Sequence, residues 1–296
     1  MYSKNKFTLS LEFYPPRSED GKRTLWNTIE NLQVLDPEYV SVTFGAGGST
    51  KEPTFKAVEN IIEDFGLNTV PHLSCLGSTK TEIRKIINRY LELGVSEIMA
   101  LRGDIPDNVE DREKFVHSGH FRYGSDLVEF INRNFPLLKI HVGAYPEYHP
   151  EAPDPESDMK NFAKKVRAGA DTAVTQYFFN NQAYYKYVND LQSLGVDIPI
   201  AVGLMPITNY GKIKQFSQIC GAEIPLWIKK RMEAYSGDPR AQKEFGIEVA
   251  TRQAEELIES GVPGIHFYTL NESEPTLRIA RNLGLVEREM TASSLS

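Results

Sequence analysis

The sequence predicts an α/β fold: a closed (β/α)8 barrel, the TIM-barrel architecture, formed by residues 1–296 as one catalytic domain with its core over about 8–285. Three observations predict it. First, one phrase recurs: an amphipathic helix, a glycine, Val or Ala nearby, then an apolar strand. It is written as LELGVSEIMALRGD, VRAGADTAVTQYFF, LQSLGVDIPIAVGLMP and IESGVPGIHFYTLN. Glycine after a helix is the usual left-handed stop, from which the chain can turn into a strand. Second, the strands are apolar runs, not in–out alternations, so both faces are covered, as in a parallel sheet under helices. Third, eight such units fit within 296 residues. A doubly wound open sheet is the competing architecture.

The elements follow in order. Strand candidates are FTLSLEFYP (7–15), YVSVTFG (39–45), TVPHLSC (69–75), EIMALRGD (97–104), KIHVGAYP (139–146), TAVTQYFF (172–179), IPIAVGLMP (198–206) and GIHFYTLN (264–271). Helical periodicity lies between them at 23–35, 56–65, 81–93 and 158–169. The stretch IPDNVEDREKFVHSGHF (105–121) is polar and aperiodic and reads as a long βα loop, a common place for function. No Pro-, Ser- or Gly-rich linker divides the chain.

Composition excludes several classes. Net charge is -7 and the pI about 5.5, so no basic face for nucleic acid or an acidic membrane is expected. Two cysteines, Cys75 and Cys220, form no C-x-x-C pair, which argues against a disulfide framework or a Cys-rich metal site. The N-terminus MYSKNKFTLSLEF lacks an apolar signal core, and no run is long enough to span a bilayer. The expected setting is the cytoplasm.

Barrel chemistry sits at the C-terminal ends of the strands. Here those ends carry Glu12, Thr43, His72, Arg102 with Asp104, Tyr145, Gln176, and Tyr268 with Asn271. Glu12 interrupts an apolar strand. It is either a structural ion pair or a general acid kept protonated by burial. His72 is either a packed core histidine or a donor to a ligand. His141 and His149 flank Glu147, but their spacing is no metal motif, and His149 as a cofactor donor fits better. No metal is expected. FGAGGST (44–50) follows a strand and matches neither a dinucleotide fingerprint nor a P-loop. It can cradle a phosphate or make a tight turn beside a flat ligand. Asp158, Asn161 and Lys165 share one helix face, which is either solvated or a clamp on a diphosphate.

The ordered set LEFYPPRSEDG, YVSVTFGAGGST, PHLSC, ALRGD, AYPEYHPEA, DMKNFAKKVRAGAD, TQYFF and HFYTLN resembles the methylenetetrahydrofolate reductase family, in its short bacterial form without a regulatory domain. The resemblance runs over about residues 8–285. It implies an FAD enzyme that reduces 5,10-methylenetetrahydrofolate to 5-methyltetrahydrofolate for methionine synthesis, with NADH or NADPH as donor and ping-pong hydride transfer through flavin N5. It places Glu12 as general acid and Asp104 as the carboxylate facing the developing iminium and the flavin. Thr43, Phe44, Ala46, His72, Arg102 and Gly103 would border the flavin. Tyr123, Gly124, Tyr145, His149, Ala152, Asp158, Asn161, Lys164 and Lys165 would hold its tail. Gln176, Tyr210 and Tyr268, with Asp104, would meet the folate. The family implies a dimer or tetramer. This chain departs from the family in two places: Lys164 stands where relatives carry arginine, and Glu272 follows HFYTLN where some carry one. Without the resemblance, two rivals stand: a barrel lyase or aldolase on a phosphorylated substrate, and a non-catalytic flavin- or folate-binding protein.

Overall fold

A computed structural model describes residues 7–44, 51–106 and 109–286. Eight strands close into one barrel in chain order: β1 Thr8–Phe13, β2 Tyr39–Val42, β3 Thr69–Ser74, β4 Glu97–Leu101, β5 Lys139–Ala144, β6 Thr172–Thr175, β7 Ile200–Leu204 and β8 Gly264–Tyr268. Every neighbouring pair is parallel, and β1 closes the ring against β8 with Ser10 beside His266 and Glu12 beside Tyr268. Closure excludes the open sheet.

Helices fill the connections: α1 Glu19–Leu32, α2 Lys51–Phe65, α3 Lys80–Glu92, α4 Arg112–Val116, α5 Gly124–Asn134, α6 Pro155–Arg167, α7 Asn181–Ser193, α8 Tyr210–Cys220, α9 Leu226–Ala234, α10 Pro239–Glu259 and α11 Ser273–Asn282. Their starts are written locally. Thr79 and Glu82 form a reciprocal capping box on α3, and Asp154 caps α6 with Pro155 in its first turn. The recurring glycines behave as expected: Gly94, Gly169, Gly195 and Gly261 all have positive φ just before a strand. The long polar stretch 105–121 is not wholly loop, because α4 lies within it, capped by Asp111.

The main core lies between barrel and helices. Leu11, Phe13, Ile98, Val142 and Phe267 from the strands belong to it with Ile29, Ile61, Ile87, Phe162 and Leu257 from the helices. Each such side chain contributes about 1.5–3 kcal/mol on burial. The apolar group of Tyr39, Val70, Met99 and Val174 forms a second, smaller cluster. Polar side chains are buried beside it: Ser10, Ser41, His141 and His266. At the strand starts, Glu97 bonds His141 Nε2 at 2.6 Å, and Thr172 Oγ1 lies 2.7 Å from His141 Nδ1. Lys139 and Asn68 complete that network. It belongs to the end of the barrel that carries stability. Among the described residues no helix is long and apolar enough to cross a membrane.

Candidate active site at the strand ends

Glu12 is the centre of the other end. The period of a strand puts Ser10 and Glu12 on one face, and pairing with β8 sets His266 and Tyr268 beside them. Glu12 Oε2 lies 3.3 Å from His72 Nε2 and 3.4 Å from His266 Nε2. His266 Nδ1 in turn lies 2.7 Å from Ser10 Oγ. Ser41, opposite Glu12 on β2, donates its hydroxyl to the same carboxylate at 3.5 Å. Thr269 Oγ1 donates to the Glu12 carbonyl at 2.6 Å, which fixes the backbone under the side chain.

This corrects one expectation. Burial does push the Glu12 carboxyl up, as the sequence suggested. The two imidazoles more than offset it, and the pKa falls to about 2. The charge of His72, then the hydrogen bonds from His266 and His72, favour the carboxylate form. In the ligand-free protein it is therefore a carboxylate near neutral pH, not a protonated acid.

Asp104 stands at the same mouth. It is exposed, three residues beyond β4. Burial and then the Asp104 charge raise the Tyr145 phenol. Burial and then the Glu12 charge raise Tyr268, which also feels Tyr145. Each carboxylate thus acts on one phenol, Asp104 on Tyr145 and Glu12 on Tyr268. Arg102 does not pair with Asp104. Its guanidinium is tied to Glu151 on the segment after β5, and its Nε is buried with no partner among the described residues. Gly103 is required for an internal reason: φ is +83°, and a Cβ there would sit 2.7 Å from Ser74 Cβ.

The remaining expected residues divide. Thr43 directly follows β2 with its N–H on Phe13 O, and Phe44 comes next, half-buried. Ala46, and FGAGGST beyond Phe44, lie outside the described residues. His149 packs edge-on against Tyr145, and its backbone N–H donates to Asp158 at 3.1 Å. Ala152 closes that turn onto His149 O. Lys165 points inward and donates to Gly143 O at 2.6 Å; burial pushes its ammonium down to about 8, with Asp158 pulling the other way. Asn161 and Lys164 are exposed, so the shared face is only partly solvated. Lys164 Nζ lies 5.6 Å from the centre of the Tyr123 ring. Gly124 brings the start of α5 against Arg102 and Lys165, within 3.5 and 3.7 Å of a Cβ placed there.

On the opposite side, Gln176 is half-buried and folds its Oε1 back onto the Tyr177 N–H at 3.0 Å. Tyr268 donates its hydroxyl to Thr175 O at 2.8 Å. Gly203 makes that possible, since a Cβ there would fall 2.1 Å from Thr175 O and 2.6 Å from the Tyr268 ring. Tyr210 opens α8, half-exposed, and packs with Tyr268 against one apolar cluster. Sequence reasoning missed Ser10, Ser41, His266 and Glu151. Ser10 and His266 had a signal: each is polar inside an apolar strand, in step with Glu12 and Tyr268.

Comparison with known proteins decides the family. The family model described as methylenetetrahydrofolate reductase matches residues 1–284. The chain belongs to this family. The 5,10-methylenetetrahydrofolate reductase of Salmonella typhimurium is 36% identical over 95% of this chain and 92% of its own length. That of Escherichia coli is 35% identical over the same shares. Methylenetetrahydrofolate reductase (NADH) 1 of Arabidopsis thaliana is 33% identical over 97% of this chain but only 50% of its own. Among solved structures, an uncharacterized protein from Clostridium thermocellum that binds two copies of 5-methyl-5,6,7,8-tetrahydrofolic acid superposes with a TM-score of 0.67 at 17% identity. It covers 95% of this chain and 96% of its own. At that identity the likeness is one of barrel fold.

Proposed function

We propose that the protein reduces 5,10-methylenetetrahydrofolate to 5-methyltetrahydrofolate with FAD as cofactor and a reduced nicotinamide, NADH or NADPH, as electron donor. The two half-reactions share one mouth. The observation that carries this reading is the Glu12 cluster: in a chain of this family, a buried carboxylate held between two imidazoles at the strand ends.

The residues present fit a flavin dinucleotide. Arg102 Nε is a buried nitrogen without a hydrogen-bond partner among the described residues, ready for an acceptor atom on a ring system. Lys165 is a buried ammonium that a diphosphate would keep charged, and the backbone turn at His149 and Ala152 is fixed beside it. Bound FAD supplies reversible hydride transfer between nicotinamide and folate.

The chain supplies position and protons. Filling the mouth with flat rings removes water and drives the Glu12 carboxylate toward its neutral form. His72 and His266, both within 3.4 Å, are the nearest proton stores. Glu12 then protonates the folate nitrogen whose bond to the methylene carbon breaks. The carbon left behind is cationic. Asp104, an exposed carboxylate at the same mouth, stabilises that charge as it develops. Gln176, Tyr210 and Tyr268 orient the folate on the β6–β8 side. A cytoplasmic setting and association into a dimer or tetramer belong to the same proposal.

Glu12→Gln tests it. Flavin reduction by NADH should stay within a few-fold, while folate reduction falls roughly 10²-fold or more. Equal losses in both half-reactions would remove the acid role. Colour separates the rivals: the purified protein should be yellow, absorb near ~450 nm and bleach with NADH. A colourless protein without affinity for FAD would favour the lyase.

A further inference from the structure

Arg102 is half-buried at the strand ends, and two different segments hold it. Its backbone is pinned from beyond β3. The Leu76 N–H donates to Arg102 O at 2.9 Å, and the Cys75 N–H reaches the same oxygen at 3.2 Å. Its side chain is pinned from beyond β5. The Glu151 carboxylate pairs with Nη1, and among the described residues no other hydrogen bond holds the guanidinium. The planar fork keeps its remaining donors for another acceptor. A long side chain has much rotamer freedom, and a ligand that met it unheld would have to freeze it on binding.

Glu151 can hold the fork because its own backbone is fixed. Its N–H donates to His149 Nδ1 at 3.1 Å. His149 is locked in turn. Its N–H donates to Asp158 at 3.1 Å, its carbonyl accepts the Ala152 N–H at 2.8 Å, and its ring meets Tyr145 edge to face at 4.7 Å. The hydrogen bond from Arg102 holds the Glu151 carboxyl below its ordinary range. Burial opposes it, and the charges of Arg102, His149 and Arg112 add to it. Glu151 is therefore a carboxylate near neutral pH. An exposed ion pair of this kind adds little to stability. Its consequence lies in where the guanidinium is kept.

We infer that Glu151 is a positioning residue for the cofactor: it fixes the Arg102 fork at the mouth and offsets the arginine's charge. This rests on the FAD reading above. The pair joins the end of β4, which borders the flavin ring in that reading, to the segment after β5, which holds the tail. Its charge matters as much as its reach. A cation beside a flavin favours the reduced, more negative ring. By neutralising Arg102, Glu151 keeps the flavin potential lower, which suits a flavin that has to give up its hydride.

Titration of the FAD-free protein with FAD, and the midpoint potential of the bound flavin, test this. Glu151→Ala should weaken FAD roughly ten-fold or more, while the urea midpoint of the FAD-free protein stays put. Arg102→Ala should weaken FAD further. Adding Glu151→Ala to Arg102→Ala should change nothing more, because Glu151 acts through Arg102. Glu151→Gln keeps an acceptor for Nη1 without the charge. It should recover most of the affinity that Glu151→Ala loses, and it should raise the flavin potential. Tighter FAD binding by Glu151→Ala would make the carboxylate a competitor for Arg102 and overturn the role. Additive losses in the double variant, or a potential unmoved by Glu151→Gln, would also overturn it. An unaltered protein with no affinity for FAD would overturn the FAD reading itself, and this role with it.

Discussion

His266→Gln is the perturbation that most directly tests the Glu12 site. It removes the imidazole beside the carboxylate, with its hydrogen bond and its charge, and keeps a hydrogen-bonding head for Ser10. Glu12 titrates at about 2 where an ordinary carboxyl titrates at 4.5. A difference of about 2.5 pH units corresponds to roughly 3 kcal/mol in favour of the carboxylate. Burial opposes it, so His72 and His266 together supply more than that. If they share it evenly, losing His266 raises the Glu12 pKa by at least about one pH unit, a ten-fold change. The assay is a carbon-13 titration of the side-chain carboxyls in the ligand-free protein, with the Glu12 signal assigned by its loss in Glu12→Gln. The pH profile of folate reduction should move to higher pH in step, while that of flavin reduction by NADH stays put. A Glu12 midpoint unmoved by His266→Gln would refute the electrostatic account of the cluster.

The other predictions concern stability and the cofactor. Burial raises the Glu97 carboxyl, but His141, Asn68 and Lys139 reverse this and hold it at about 2, while burial holds His141 below 6.5. Both folded values are depressed, so the unfolded chain binds more protons. Stability is full above pH 6.5, falls first as His141 is forced to charge, then further between about 4.5 and 2 as Glu97 is protonated. Urea midpoints across that range should fall, and a rise on acidification would contradict the network. Gly203→Ala drives a Cβ to 2.1 Å from Thr175 O and should cost about 3 kcal/mol or more in chemical denaturation. Lys165 is pushed down to about 8, so affinity for a diphosphate such as ADP should drop roughly ten-fold above that pH, and Lys165→Met should abolish the dependence.

Much of the barrel was legible because its signals are local. A glycine after several of the helices, an apolar run, and a polar residue at the run's end are properties of a few neighbouring residues. They located all eight strands to within a few positions, with Glu12, His72, Arg102 and Asp104 at the strand ends. The helix α4 inside 105–121 was missed because five residues make too little periodicity to read.

What the sequence by itself determined was which residues stand at the strand ends, since strand period and helix stops depend only on chain neighbours. The tertiary structure alone decided their charge states and partners. Glu12 is a carboxylate because the closed ring brings His72 on β3 to 3.3 Å and His266 on β8, 254 residues away, to 3.4 Å. Arg102 turns to Glu151, not Asp104, because the segment after β5 passes over it. Electrostatic energy depends on distance through space, and no spacing along the chain encodes the closure of a barrel.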